Sequence, residues 1–135
     1  MKITARGRYG LRIMADIAQN SGGEVVSAHT IATRQSIPEP YLETIAGILR
    51  RARLLRSVRG AAGGFVLARR AGDITVGEIL RVLEGSLSSG ACDGDGAGCG
   101  MSGCETCAAL GVTSRIDAKV SEVVDNMTLA DLVSD

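Results

Sequence analysis

Apolar residues recur at helical spacing through the first third of the chain, where they predict three helices. The spacing is the i, i+3, i+4, i+7 pattern of a helix that buries one face. It is clearest in residues 5–20 and 39–52, and a shorter helix over residues 28–35, capped by Ser27, lies between them. A tight connection of about three residues separates the second predicted helix from the third, which is the helix-turn-helix pattern.

The pattern changes to short β-type runs after these helices. Residues 54–59 and 64–68 flank a glycine-rich tip and predict a β-hairpin. Thr75 and Glu78 then form a capping-box signature for a fourth helix, which Gly85 ends. The predicted fold is therefore mainly α-helical with a small β-hairpin wing, that is, a winged helix-turn-helix.

The last third of the chain has a different organisation. Gly, Ser, Asp and Cys dominate residues 86–107, which predicts a loop. Helical spacing returns from about residue 105 to residue 127, and its apolar stripe is narrow, as in a coiled coil: Ile116, Val120, Val123 and Met127. We therefore divide the chain into a winged helix over residues 1–85, a cysteine-rich loop over 86–107, and a long helix with a C-terminal turn over 108–135.

Charge is distributed unevenly, although the 135-residue chain has a formal net charge of zero. Residues 1–89 carry 13 basic and 7 acidic side chains, whereas residues 90–135 carry 2 basic and 8 acidic ones. A basic segment is typical of a protein with a polyanionic partner, although an arginine-rich solvated face gives the same count. No apolar run is long enough to span a membrane and no signal sequence precedes the first helix, so we expect a cytoplasmic protein.

The third helix and the wing supply the candidate DNA contacts. In a winged helix the first residues of the third helix enter the major groove. These residues are Glu39, Pro40, Tyr41, Glu43 and Thr44. Glu43 can accept a hydrogen bond from the exocyclic amine of cytosine, although a solvated or ion-paired glutamate is the simpler alternative. Arg50 and Arg51 suit phosphate contacts, and Arg59 at the wing suits a minor groove.

All four cysteines lie close together, with the spacing C-x6-C-x4-C-x2-C: Cys92, Cys99, Cys104 and Cys107. Thiolates select zinc, copper(I) or iron-sulfur clusters, and a structural zinc site usually has paired C-x2-C motifs. Because this chain has one such motif, the spacing favours an iron-sulfur cluster, either 2Fe-2S or 4Fe-4S. Structural zinc and a reversible thiol-disulfide switch remain alternatives. Nothing matches a hydrolase triad or a phosphate-binding loop, so we expect neither an enzyme nor a small-molecule substrate.

Several stretches of the chain resemble the Rrf family of bacterial winged-helix regulators. They lie at residues 2–10, 37–43, 58–65, 75–78 and 128–132. The resemblance implies a transcription regulator, expected to be a repressor, that forms a homodimer through its long helix and binds a palindromic operator in double-stranded DNA. It also implies that Cys92, Cys99 and Cys104 are cluster ligands. The remaining alternative is a winged-helix protein-interaction module that does not bind DNA.

This chain departs from the family pattern at three places. The iron-sulfur assembly regulators, to which the likeness is closest, have a histidine as fourth ligand where this chain has Cys107. The nitric-oxide-sensing branch uses an acidic residue near the start of the first helix, where this chain has Arg8. Ala61 and Ala62 replace the Pro and Gly that are frequent at the wing tip. The departure at Cys107 makes an all-cysteine site within one subunit possible.

Overall fold

A computed structural model describes residues 2–20, 22–88 and 107–134 of the chain. These residues contain six α-helices, one two-stranded sheet and a short 3-10 helix. In chain order they are α1 (Ala5–Asn20), α2 (Ala28–Gln35), α3 (Glu39–Arg51), β1 (Leu55–Val58), β2 (Gly64–Leu67), the 3-10 helix (Ala71–Asp73), α4 (Val76–Glu84), α5 (Ala108–Asn126) and α6 (Leu129–Val133). This confirms the mainly helical winged helix-turn-helix with a long C-terminal helix.

The main core lies where α1, α2, α3 and α4 meet. Its fully buried side chains come from the apolar positions that the helical spacing selects, such as Ile13 and Ile17 of α1 and Leu42, Ile45 and Leu49 of α3. Burying a side chain of this size contributes about 1.5–3 kcal/mol. Packing of these amphipathic faces therefore fixes the order and position of the helices.

The wing is an antiparallel hairpin in which Leu55 pairs with Leu67 and Val58 pairs with Gly64. Val26 adds a third extended segment, because its backbone exchanges hydrogen bonds with Phe65 at 3.0 and 2.8 Å. At Gly64 a Cβ atom would lie 2.1 Å from the Val26 carbonyl oxygen, so a side chain there would push the two segments apart. The wing is thereby attached to the residues that lead into α2.

The C-terminal turn is attached to the start of α4. The Val76 amide donates to the Met127 carbonyl and the Leu129 amide donates to the Ile74 carbonyl, each at 2.8 Å. Thr128 and Asp131 form a complete capping box at the start of α6. The end of the chain therefore returns to the winged helix and fixes the carboxyl end of α5.

The structure corrects the sequence expectations at several boundaries. The third helix ends at Arg51, one residue early, and both strands are shorter than predicted. Thr75 caps α4 as predicted, but the Glu78 carboxylate pairs with Arg69 across the surface. Leu87 is buried, although residues 86–107 were expected to form an exposed loop, because it packs with Val76, Leu80 and Val124.

Two further expectations concern α5 and the membrane. The described part of the fifth helix begins at Ala108, and the expected start near residue 105 lies outside the described residues. Among the described residues, no helix combines the length and hydropathy needed to cross a bilayer.

Candidate nucleic-acid interface

A buried carboxylate sets the geometry of the helix-turn-helix. Asp16 of α1 is 2% exposed and accepts hydrogen bonds from Arg34 Nε at 3.0 Å and Gln35 Nε2 at 2.8 Å. The hydrogen bond between Asp16 and Arg34, more than the negative charge of Asp16, raises the pKa of Arg34. Ser36 then ends α2 in the left-handed conformation, with φ of 53°. These contacts fix the end of α2, where the turn before α3 begins.

The predicted reading residues lie together in the first turns of α3. Glu43 and Thr44 are exposed, and the Thr44 hydroxyl donates to the Pro40 carbonyl at 3.0 Å. Tyr41 is half-buried because its ring packs edge-on against Tyr9, with 5.6 Å between the ring centroids. We infer that Glu43 and Thr44 are free to face a ligand, while Tyr41 is held in place by α1.

Glu39, also among the predicted reading residues, has a partner of its own. Its carboxylate lies 3.2 Å from Nδ1 of His29, at the start of α2. This contact spans the helix-turn-helix on its exposed side. The sequence alone did not reveal this contact.

The first turn of α1 lies beside these reading residues. Thr4, Ala5 and Arg6 line one side of an open groove of about 370 Å³, and Tyr41 and Thr44 line the other. Sequence reasoning missed Thr4 and Arg6. The signal was available, since basic residues precede and begin the first helix, but only the packing of α1 on α3 places them beside the recognition surface.

The predicted phosphate contacts lie at the opposite end of α3. Arg50 lines a second open groove of about 830 Å³, together with Arg53, Arg56 and Arg69. Arg51 is exposed in the last turn of α3. Arg53 has a positive φ of 62°, which is unusual for a residue with a side chain. Basic side chains therefore extend from the recognition helix to the base of the wing.

Arg59 is exposed where β1 ends and the tight turn at the wing tip begins. Gly60 has a φ of 110° and its carbonyl accepts from the Gly63 amide at 3.0 Å. At Gly63 a Cβ atom would lie 2.2 Å from the Val58 carbonyl oxygen. Glycine thus allows a narrow tip, and Arg59 stands at its base as the sequence predicted.

One of the four predicted cluster ligands lies within the described residues. Cys107 is the N-cap residue of α5 and its thiol is exposed. Cys92, Cys99 and Cys104 lie outside the described residues, and the described residues alone contain no group of metal ligands. The chemistry of the donor set, four thiols within a short stretch, fits a soft metal or an iron-sulfur cluster.

An apolar face of α5 is open to solvent. Val112 and Val123 are each 58% exposed and Ile116 is 49% exposed. An open groove of about 570 Å³ runs beside Val112, Ile116 and Val120. The predicted coiled-coil stripe is therefore available to a partner, whereas Val124, on an adjacent face of the same helix, packs against α4.

The helix-turn-helix, the basic wing and the open grooves define a winged-helix DNA-binding transcription regulator. Residues 3–135 match the Rrf2 family model, described as an iron-dependent transcriptional regulator. The chain belongs to the Rrf2 family. It is 41% identical over 134 residues to the HTH-type transcriptional regulator CymR of Bacillus subtilis. The aligned region covers 99% of this chain and 91% of CymR.

Solved structures agree with this assignment. The structure of B. subtilis CymR, described as the global cysteine regulator, has a TM-score of 0.81 and 39% identity, covering 99% of this chain and 97% of that one. T. potens IscR has a TM-score of 0.79 and 41% identity, covering 100% and 88%. The oxidized form of Staphylococcus aureus CymR has a TM-score of 0.78 and 36% identity, covering 100% and 98%. These relatives confirm a regulator rather than an enzyme.

Proposed function

We propose that the chain is a homodimeric, cytoplasmic repressor that senses iron-sulfur status, redox state or nitric oxide. The sensor is an iron-sulfur cluster held by Cys92, Cys99, Cys104 and Cys107. The observation that carries this proposal is the donor set itself: four cysteines within one short segment, which directly precedes α5. A bound cluster would supply the redox and nitric-oxide chemistry that the protein side chains alone do not.

The proposed role of the cysteine segment follows from its position. It joins α4, which packs on α1 and α3, to α5, which carries the open apolar face. A group that binds the cysteines would therefore bias the arrangement of two recognition helices in a dimer. Operator affinity would change by the free-energy difference between the two arrangements.

The cofactor is tested by purification without oxygen. We expect a coloured protein with iron and sulfide in equal amounts, and we expect Cys107→Ser to lose most of the colour. Ser114→Cys is a matched control that adds an exposed thiol on α5 outside the motif. A colourless wild-type protein that stays free of iron after reconstitution would contradict the cluster.

DNA reading is proposed for Glu39, Pro40, Tyr41, Glu43 and Thr44, with Arg50, Arg51 and Arg59 on the backbone and in the minor groove. The most informative variant is Glu43→Ala, assayed on duplexes that the wild-type chain selects from a random-sequence library. Losing a good base contact removes about 1–3 kcal/mol of discrimination at one base pair. Thr33→Ala, at an exposed position of α2, is the control. An unchanged sequence preference in Glu43→Ala would remove Glu43 from the reading set.

A thiol-disulfide switch on the same scaffold is the second candidate. It is favoured by the similarity to CymR, of which an oxidized form has been solved, and to a protein described as a global cysteine regulator. This candidate predicts a colourless protein whose free thiols fall in pairs on mild oxidation. Structural zinc predicts a colourless protein that releases zinc, so metal analysis and thiol counts separate all three.

A further inference from the structure

Glu84, the last residue of α4, makes a concentrated set of contacts with the start of α1. Its Oε1 atom accepts hydrogen bonds from the Thr4 amide at 2.8 Å, the Thr4 hydroxyl at 2.7 Å and the Gly7 amide at 3.0 Å. The first amides of a helix have no partner within that helix, and a negative charge is favourable beside them. Glu84 therefore caps α1 from a helix that lies far away in sequence.

The capped turn has no room for a side chain at residue 7. A Cβ atom on Gly7 would lie 2.2 Å from Glu84 Oε1 and 3.0 Å from Ile3 Cγ2. Gly7 is buried in the interior of the first turns, where alanine would otherwise be the better helix former. The glycine is thus explained by the approach of Glu84. The hydrogen bonds from Thr4, ahead of the charge of Arg6, hold the pKa of Glu84 below its ordinary value.

This contact joins two parts of the molecule that bear on DNA binding. On one side, Thr4 and Arg6 line the groove whose other wall is formed by Tyr41 and Thr44 of the recognition helix. On the other side, Gly85 follows Glu84 directly and ends α4 with a positive φ of 81°. From there the chain continues toward the cysteine segment.

We propose that Glu84 is a positioning residue for DNA binding. It fixes the first turn of α1 beside the recognition helix, and so makes the shape of the DNA-reading surface depend on where α4 ends. Glu84 itself does not touch DNA. The inference rests on the DNA-binding activity of the family and is independent of whether a cluster is bound.

The test compares Glu84→Ala with Glu84→Gln in the full chain, using a duplex that the wild type selects from a random-sequence library. Both variants remove one negative charge, but glutamine keeps an oxygen that accepts from Thr4 and Gly7. We expect Glu84→Ala to weaken binding to the selected duplex about tenfold and Glu84→Gln to stay within about threefold of wild type. Binding to unselected duplex should not weaken in either variant, because each gains net positive charge.

Gly7→Ala disrupts the same contact from the other side. We expect it to weaken selected binding about as much as Glu84→Ala does, and we expect the double variant to be no weaker than either single one. Arg81→Ala, one turn earlier on α4 and directed at Asp125, is the control and should bind like wild type. Equal affinities for Glu84→Ala and Glu84→Gln, or additive losses with Gly7→Ala, would overturn the proposal. A wild-type chain that selects no duplex would instead contradict DNA binding itself.

Discussion

The winged helix and α5 differ in how completely they bury their apolar side chains. The winged helix packs most of its large apolar residues into one core, to which every helix from α1 to α4 contributes. In α5, Val124 is buried against α4, while Val112, Ile116 and Val123 are each about half exposed or more. The winged helix thus buries its apolar core within one chain, whereas α5 leaves apolar side chains exposed.

The difference teaches where the chain needs a partner. Contiguous exposed apolar surface is uncommon on a monomer and marks a site of association. The helical stripe, spaced as in a coiled coil, suits a second copy of itself. In the proposed dimer, a group bound to the cysteine segment, which lies between the winged helix and α5, would change the distance between the two winged helices without changing either one.

The largest predicted effect is on dimerisation. Ile116→Glu places a charge in the apolar stripe of both copies, and an unpaired charge in a buried interface costs several kcal/mol. We expect the dimer to dissociate on the order of a thousandfold more readily, which is about 4 kcal/mol. Analytical ultracentrifugation over a range of concentrations measures this change.

Ser114→Glu is the matched control for that variant. Ser114 is exposed on α5 and lies two residues from Ile116, about 160° away around the helix. It should leave the dimer intact. If Ile116→Glu also remained dimeric, the stripe would not be the interface and the contrast between the two regions would lose its meaning.

The second effect lies inside the winged helix. Asp16→Ala removes the buried acceptor of Arg34 and Gln35, and we expect it to lower the free energy of unfolding by about 2 kcal/mol. Glu24→Ala, which removes an exposed carboxylate, should change it by less than about 0.5 kcal/mol. Urea denaturation at one fixed protein concentration compares them, since dimer stability depends on concentration. Equal losses in the two variants would show that Asp16 does not hold the helix-turn-helix.

Sequence periodicity predicted most of the fold because the fold depends on local patterns. The apolar spacing of α1 and α3, the caps Ser27 and Thr75, and the glycine at residue 85 each act within a few residues of the chain. The burial of Leu87 was missed because a distant residue is responsible for it. Leu87 is buried through contact with Val124 of α5, which no local pattern contains.

The candidate site was predictable from the sequence only where its residues share one element of the fold. The fold places Tyr41 and Thr44 together because they share one helix, and Arg59 follows from the wing. Thr4, Arg6 and Glu84 were missed because their relation to the recognition helix arises from packing between α1, α3 and α4. The ligand roles of Cys92, Cys99, Cys104 and Cys107 remain predictions.

A smaller effect concerns the basic surface of the reader. Arg50→Ala removes one side chain from the groove at the end of α3, and we expect about 1 kcal/mol weaker binding on all duplexes. The slope of log affinity against log salt should fall by about 0.9 for one lost phosphate contact. Arg81→Ala removes the same charge from the joint with α5 and should leave the slope unchanged. Identical slopes for all three proteins would place Arg50 outside the DNA interface.

The smallest effect lies at the joint between the two regions. Arg81 of α4 donates hydrogen bonds to the Asp125 carboxylate of α5 at 2.5 and 3.0 Å. These hydrogen bonds, more than the charge of Arg81, lower the pKa of Asp125 below its ordinary value of 3.8. Because the folded-state pKa is the lower one, the pair stabilises the fold above pH 3.8 and loses its contribution as the pH falls through the folded-state value. Both side chains are more than 40% exposed, so the contribution is small.

Carboxyl titration by NMR isolates this joint from the rest of the chain. In Arg81→Gln the Asp125 midpoint should rise toward 3.8. Asp131 serves as the internal reference, because Thr128 lowers its pKa through hydrogen bonds that Arg81 does not touch. An Asp125 midpoint that stays in place would mean that the ion pair between Arg81 and Asp125 does not form in solution. The joint between α4 and α5 would then depend on the apolar packing of Val124 and on the backbone hydrogen bond from Val76 to Met127.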